Sequence, residues 1–527
     1  MKTGSKFWTV VVALLGAGVC GHTHAPASTA DPLRVSRAGA AASTPLTVRE
    51  HGSGWRAETA TRALEVGSEL QLRVFLKKEG RWTTLSPPEG LPPGFSVRAG
   101  GVVRTFRVAG KPSLEHAQPS RFGPAERVLL EAANPAGDLA LRLMIDFPQR
   151  HPDAILLQAR FANSGPTAVQ LADTALAALR LRAPAVSDDG VHFWSFNGGG
   201  IFGCKDYILP VRAGFSHHNN CAPIGGDLGG GTPFVDLWRP EMGVAIAAVE
   251  AWPILASLPV AAGKSGEVDL FLKTTPAVTL APGSAHTTPA IMLVAHEGDF
   301  YDPLVRLREL MADLGVRADT QYHPDDYAPT WGTWAFKKLF TMETMLAQTR
   351  RMKLYGLREL IMDDGWYDYF GDWQPLASKF PRGAADVRAL VDRLHQEGMT
   401  LRLWWTPGVA DLESALGRAH PDWFIHDSSG SPAKASWTSY FLCPAHRPVR
   451  EAMARLVKRF IKDLDVDSFK LDGPCLNAAP LCHHPAHQHA RPEESFEQWP
   501  DLFNFVRAEA KQLKPDFRIE LCPCGVT

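Results

Sequence analysis

The sequence predicts a multidomain β plus α/β fold: an N-terminal antiparallel β-sandwich followed by a (β/α)8-type TIM barrel of which about five strands are present. Up to about residue 300, short apolar segments with a period of two alternate with clusters of glycine and proline, which is typical of an antiparallel sandwich. After about residue 329, strands alternate with amphipathic helices. This alternation of strands and helices indicates a parallel sheet with right-handed crossovers. The length of 527 residues accommodates two or three domains.

Residues 1–30 have the three-part plan of an export signal. Two lysines precede an apolar stretch from Phe7 to Val19, and small residues follow up to Ala30. Because the stretch is short for a bilayer span, we expect a periplasmic or extracellular protein with no integral membrane span in the mature chain. A lipid anchor on Cys20 is the alternative to ordinary cleavage, although Val19 fits a lipoprotein signal poorly.

Residues 31–300 are assigned to the sandwich domain. Its clearest strands begin at Leu70, Leu141, Ile155, Val191, Val244 and Val268. Residues 301–328 are assigned to a helix and a linker, because Asp302 to Leu314 shows helical spacing of apolar residues and a polar, proline-bearing segment follows.

Residues 329–527 are assigned to the partial barrel. Its strands are predicted at TWGTWAF, RELIMDD, MTLRLWW, VDSFKLD and FRIELC, and its helices from residue 341 and at 384–397, 411–419, 447–464 and 494–513. A closed barrel takes about 250 residues. The sequence therefore predicts an incomplete barrel, either because the chain is truncated or because the fold closes in another way.

The charge balance narrows the class of ligand. The chain has 55 Lys and Arg against 56 Asp and Glu, so nothing in it attracts nucleic acid or an anionic membrane surface. We expect an uncharged ligand and no nucleic acid. The sequence does not decide between a monomer and a homo-oligomer.

Cysteine and histidine raise two further questions. In an exported protein, Cys204 with Cys221 and Cys475 with Cys482 are candidate disulfides. The run from Cys482 to His489 contains good zinc ligands. Its proline, its irregular spacing and its position after a predicted strand favour a surface or pocket-rim loop, so the sequence-based prediction contains no metal and no cofactor.

Two predicted barrel strands end in acidic residues followed by glycine, in the runs LIMDDG and FKLDG. The carboxyl ends of barrel strands carry active sites, so Asp363, Asp364 and Asp472 predict one, although a single such aspartate is equally typical of a turn. Lys470 shares a strand face with Asp472 and would keep that carboxylate ionised. A plain buried ion pair is the alternative for this lysine.

These runs and their neighbours resemble the melibiase-type α-galactosidases, which are retaining glycoside hydrolases of family 36. The matching segments are TWGTW at Thr330, LIMDDGW at Leu360, GDWQPLASKFPRG at Gly371, EGMTLRLWWTP at Glu397, HPDWF at His420, FKLDG at Phe469 and IELCPCG at Ile519. The N-terminal half resembles that family only in architecture. The resemblance implies a glycosidase that hydrolyses O-glycosyl bonds of α-galactosides or related α-glycosides, with an oligosaccharide or glycoside as its substrate.

The resemblance also implies roles for individual residues. Asp472 matches the nucleophile that forms a covalent glycosyl-enzyme, and Lys470 matches the lysine that contacts the sugar. Asp363 and Asp364 match the pair that hydrogen-bonds sugar hydroxyls. The remaining matches are substrate-binding positions on the pocket wall: Trp404 or Trp405, Cys522 and Gly525.

Several positions depart from the family pattern. Leu471 replaces a tryptophan, Gly473 and Pro474 replace the residues after the nucleophile, and Thr406 replaces a glutamate. The family's acid/base aspartate lies on a sixth strand that is absent from the predicted set, so no acid/base is assigned in this chain. Retaining hydrolysis needs two carboxyl groups about 5–5.5 Å apart. The alternative function is therefore a non-catalytic sugar-binding protein or an inactive fragment.

Overall fold

The computed structural model describes residues 46–184, 186–196, 208–221, 232–275, 278–317, 323–472 and 479–522. The predicted export signal, Cys204, Cys475 and Gly525 lie outside these ranges, so the predictions made for them stay predictions. Within the ranges, no helix combines the length and the apolarity that crossing a membrane requires.

Strands dominate the N-terminal half. They are β1 (Thr47–His51), β2 (Gly54–Glu58), β3 (Arg62–Val66), β4 (Leu72–Lys78), β5 (Arg81–Thr83), β6 (Phe95–Ala99), β7 (Val102–Thr105), β8 (Arg107–Val108), β9 (Ser113–Gln118), β10 (Ala125–Ala133), β11 (Leu139–Pro148), β12 (Ile155–Asn163), β13 (Val169–Arg182), β14 (Phe193–Phe196), β15 (Ile208–Val211), β16 (Ser216–Cys221), β17 (Phe234–Arg239), β18 (Met242–Val249), β19 (Ala256–Ala262), β20 (Glu267–Thr274), β21 (Val278–Leu280), β22 (Ala285–Thr287) and β23 (Ala290–His296).

These strands form three sheets. The spatial order is β15-β14-β17-β18-β23-β12-β11-β10-β8 in the largest, with β22 and β9 paired beside it, and β16-β19-β20-β13-β6-β7 in the second, with β21 beside β13; β1 to β5 form the third. Their strand pairs are antiparallel, and apolar side chains from all three sheets share one core. The antiparallel sheets predicted from the period of two are thus confirmed.

Strand β18 is buried along its whole length because both of its faces are covered. Ile246 points into the core between the sheets. Ala247 points to the other side, where Leu310 of helix α1 (Tyr301–Asp313) packs in a separate apolar cluster. The helix predicted at residues 302–314 therefore covers the back of the largest sheet.

The C-terminal half alternates strands and helices. Its elements are β24 (Thr330–Gly332), a 3-10 helix (Thr333–Phe336), α2 (Met342–Leu354), β25 (Glu359–Met362), α3 (Ala384–Gln396), β26 (Thr400–Trp405), β27 (Val409–Ala410), α4 (Ala415–Ala419), a 3-10 helix (Pro421–Trp423), β28 (Tyr440–Phe441), α5 (Arg447–Lys462), β29 (Ser468–Leu471), α6 (Glu494–Glu497), α7 (Trp499–Leu513) and β30 (Arg518–Leu521).

Five of these strands form one parallel sheet in the order β24-β25-β26-β29-β30. Chain order and spatial order coincide, as right-handed crossovers in a barrel require. The five parallel strands that the sequence predicts are all present. Closure into an eight-stranded barrel stays a prediction.

Two predicted helices differ from the structure. The helix predicted at 411–419 shortens to α4, because the backbone N–H and side chain of Asp411 are both bonded to the backbone of Phe370 and Ser414 caps the helix start. The helix predicted at 494–513 is divided at Gln498 into α6 and α7. Pro500, at the start of α7, has no N–H for the hydrogen bond that would continue the first helix.

Thr341 caps helix α2, and its hydroxyl oxygen accepts a hydrogen bond from the backbone N–H of Thr344 at 3.1 Å. Because Thr341→Ala leaves that N–H without its acceptor, we expect the free energy of unfolding to fall by about 1 kcal/mol. Urea unfolding of the full chain measures this loss. Thr341→Ser keeps the hydroxyl and should lose less; equal losses in both variants would contradict the capping role.

Candidate active site

Side chains alternate between the two faces of the parallel sheet, and the two faces differ in chemistry. One face is apolar and packs against the helices. The other is polar and carries Glu359, Asp363, Arg402, Trp404, Ser468, Lys470, Asp472, Arg518 and Glu520. The candidate site is built on this second face, at the carboxyl ends of the strands.

Asp472 follows β29 directly. Its backbone N–H donates to the carbonyl of Trp405 at 3.1 Å, and the indole Nε1–H of Trp404 donates to its carboxylate oxygen Oδ2 at 3.1 Å. Strand β26 therefore orients Asp472 from both its backbone and its side chains.

The two tryptophans, which the sequence does not separate, lie on opposite faces of β26. Trp404 faces Asp472, whereas the ring of Trp405 lies 5.3 Å from Phe460 of α5 and 5.5 Å from Phe469 of β29, on the apolar face of the sheet. The assignment of Trp405 to the pocket wall is therefore wrong. A one-residue step along a strand reverses the direction of the side chain, so only Trp404 reaches the carboxylates.

Lys470 lies two residues before Asp472 and forms an ion pair across β26. Its Nζ donates to Oδ2 of Asp363, at the end of β25, over 2.8 Å. Burial alone would lower the pKa of Lys470, but the hydrogen bond and the negative charge of Asp363 outweigh it and raise the pKa above its usual value. The ammonium group therefore stays charged, and its ion pair connects the end of β29 to the end of β25.

Asp364 is the second acid at the end of β25. The Tyr367 hydroxyl donates to its Oδ1 at 2.8 Å, and Nζ of Lys338 lies 3.1 Å from its Oδ2. Burial is the main cause that raises the pKa of Tyr367, and the negative charge of Asp364 is the next. The hydroxyl therefore keeps its proton and donates a hydrogen bond. The sequence-based prediction did not include Tyr367 and Lys338. Tyr367 lies only three residues after Asp364, and this short spacing could have indicated their contact.

A layer of buried charges lies beneath the site. Glu359 of β25 contacts Arg402 of β26 at 2.5 Å, Arg518 of β30 at 2.7 Å and the hydroxyl of Ser468 at 2.6 Å. Arg402 also pairs with Glu520. These contacts join four strands and fix the positions of the strands relative to one another beneath the site. Such contacts support functional side chains that must be precisely placed. Charged residues inside otherwise apolar strands were the sequence signal for this layer.

An exposed aromatic side chain borders the site. Trp437 is 42% exposed, stacks on Phe370 at 5.4 Å and meets the edge of Trp404 at 5.9 Å. Its φ of 59° lies in the left-handed region, where a bulky residue is held at a cost of about 1–3 kcal/mol. Such strain is typical of a functional position, and an exposed indole beside carboxylates suits the C–H face of a sugar.

Cys522 lies at the same edge of the sheet, just after β30. Its backbone N–H donates to the carbonyl of Leu471 at 2.8 Å, and the residue is half-buried. The structure thus brings Asp363, Asp364, Trp404, Lys470, Asp472 and Cys522 to one edge. The roles of these residues stay predictions.

Comparison with known proteins shows which families and folds this chain is similar to. Residues 323–527 match the melibiase family. The "A type blood alpha-D-galactosamine galactosaminidase" of Flavonifractor plautii is 29% identical over 349 residues, which are 63% of this chain and 32% of that protein. An α-galactosidase of Lactobacillus acidophilus is 28% identical over 129 residues, 23% of this chain and 17% of that protein. The matched segments thus span a third or less of these relatives.

Solved structures share the fold. A family 36 α-galactosidase of Geobacillus stearothermophilus in complex with raffinose has a TM-score of 0.56 at 15% identity, covering 91% of this chain and 72% of that chain. The α-galactosidase of Lactobacillus brevis has a TM-score of 0.54 at 16% identity, covering 90% and 70%. Residues 323–527 of this chain are therefore similar to the melibiase family, and the chain shares its fold with these solved α-galactosidases of Geobacillus stearothermophilus and Lactobacillus brevis.

Proposed function

We propose that this protein is a retaining glycoside hydrolase that acts on α-galactosides or the related α-galactosaminides through a covalent glycosyl ester on Asp472. The observation that carries the proposal is the position of Asp472 beside Trp404 at the strand edge that also holds Asp363, Asp364 and Lys470. Polar groups convergent at that edge are what a sugar pocket needs.

In this mechanism the carboxylate of Asp472 attacks the anomeric carbon as the glycosidic C–O bond breaks. The leaving oxygen takes a proton from a second carboxyl group, and water later cleaves the glycosyl ester. Asp363 and Asp364 accept hydrogen bonds from sugar hydroxyls, and Lys470 donates one. Each of these three groups already has a partner in the structure, so the pocket is preorganised before the sugar arrives.

The names of the relatives support the choice of sugar. One relative is named for a galactosaminidase and another for an α-galactosidase. The two substrates differ at one ring position, so a single pocket geometry around Asp363, Asp364 and Lys470 serves as the starting hypothesis for both.

The test uses the full 527-residue chain with 2,4-dinitrophenyl α-galactoside and the matching α-galactosaminide. An activated phenol leaves with little protonation, so the assay reports the nucleophile independently of the acid/base. We expect phenol release, with an initial burst if the glycosyl ester hydrolyses slowly. Binding of galactose or galactosamine without phenol release from either glycoside would support the sugar-binding alternative and refute the hydrolase.

A further inference from the structure

Four metal-binding side chains meet at a place that the proposed mechanism does not use. Cys443 belongs to the connection from β26 to α5, while Cys482, His487 and His489 belong to the connection from β29 to α6. Their sulfur and nitrogen atoms all lie within 4.8 Å of one another. Two separate loops thus contribute to one cluster.

The contacts of His487 show which of its ring nitrogens faces the cluster. Nε2 lies 2.7 Å from the backbone carbonyl of Asp422, which can only accept a hydrogen bond, so a neutral ring carries its proton there. The lone pair of Nδ1 then points at Sγ of Cys482, 3.1 Å away. An imidazole held by a carbonyl on its far nitrogen is the usual arrangement of a metal-binding histidine.

Cys443 and His489 complete the set of four side chains. Cys443 and Cys482 are both buried free thiols. The Nε2 atom of His489 is buried and has no hydrogen-bond partner among the described residues. Two thiolates and two imidazoles around Zn²⁺ lie about 3.3–3.8 Å apart at ordinary bond lengths. The observed spacing needs only a small contraction to reach those values.

The sequence-based assignment of the Cys482–His489 run to a loop without a metal omitted Cys443, which lies far earlier in the chain. Cys475 lies outside the described residues, so the candidate disulfide between Cys475 and Cys482 stays a prediction; the structure places Sγ of Cys482 3.1 Å from Nδ1 of His487. A disulfide between Cys443 and Cys482 would remove both thiolates as metal ligands. Nδ1 of His487 and Nε2 of His489 would then have no metal ion to bind.

We propose that Cys443, Cys482, His487 and His489 bind one Zn²⁺ ion in a closed, structural site. Four protein ligands leave no open position for substrate or water, so the ion fastens the two loops instead of taking part in the reaction. The first of these loops also carries Trp437, and both follow strands that end at the edge where Asp472 lies. Zinc would thereby hold the rim of the candidate pocket.

The test begins with metal analysis of the purified full chain. We expect one zinc ion per chain, and we expect Cys482→Ser and His487→Asn to lose most of it. His483→Asn and Cys522→Ser are the matched controls, because His483 is exposed in the same loop and Cys522 is a cysteine outside the cluster; both should keep the ion. A chelator should lower Tm by about 5–10 °C, and added Zn²⁺ should restore it.

Substitution of Co²⁺ in the unaltered chain provides a readout that does not depend on the folding of a variant. Tetrahedral Co²⁺ bound to two thiolates should show strong visible bands and an intense sulfur-to-metal band in the near ultraviolet. Three results would each overturn the proposal: a metal-free chain whose thiols are all titratable after preparation with zinc, a Cys443–Cys482 disulfide in non-reduced peptide mass spectra, or zinc that both control variants lose as readily as Cys482→Ser.

Discussion

Asp472→Asn is expected to lower kcat for an aryl α-galactoside by about 10⁴-fold or more and to leave the Kd for galactose within a few-fold of its original value. The amide keeps the shape of the carboxylate, and its oxygen can still accept the indole N–H of Trp404. It cannot form the glycosyl ester, so chemistry fails while binding persists.

Steady-state kinetics and calorimetric titration with galactose measure the two quantities separately. Glu413→Gln is the control, because this carboxylate lies between β27 and α4 with its side chain 82% exposed; the kcat of this variant should not change. Asp472→Gly with added azide provides a further check, since azide can enter the vacated space and yield a glycosyl azide. Near-normal turnover of Asp472→Asn would refute the nucleophile assignment.

Lys470→Met is expected to lower the free energy of unfolding by about 3 kcal/mol. The change removes the cation that compensates Asp363, whose side chain is 5% exposed. A buried carboxylate without its partner is costly, whereas a pair replaced as a whole is not. The double variant Lys470→Met with Asp363→Asn should therefore recover much of the loss, and urea unfolding of all four proteins gives the coupling energy.

The same ion pair predicts a pH dependence with a definite sign. Because the pKa of Lys470 is raised in the folded protein, its contribution to stability is fully present below the unfolded-state pKa of about 10.4. It is lost as the pH rises through the folded-state pKa. The stability difference between the original chain and Lys470→Met should thus be constant near neutral pH and should narrow only in strong alkali. A difference that narrows between pH 6 and 8 would show that another group dominates.

The sequence by itself determined the elements that depend on short-range patterns. Alternation of period two predicted the antiparallel strands, and the alternation of strands with helices predicted the five parallel strands. The positions of Asp363, Asp364 and Asp472 at strand ends were also visible, because the first two form a pair after an apolar run and the third follows the strand residue Leu471. Two helix boundaries were wrong: Pro500 divides the predicted last helix locally, between α6 and α7, and the helix predicted at 411–419 is shortened where Asp411 bonds to the distant Phe370.

Only the tertiary structure decided which distant side chains meet. Lys470 shares a strand with Asp472, yet its ion pair crosses to Asp363 because β26 separates β29 from β25 by a distance that a lysine side chain spans. Cys443 joins the histidine run for the same kind of reason, since two loops at neighbouring strand ends pack together. Local patterns specify the backbone conformation and the face of a strand or helix on which a side chain lies. A contact between remote residues depends instead on which strands become neighbours and on where their loops pack. No short segment of the chain contains that information.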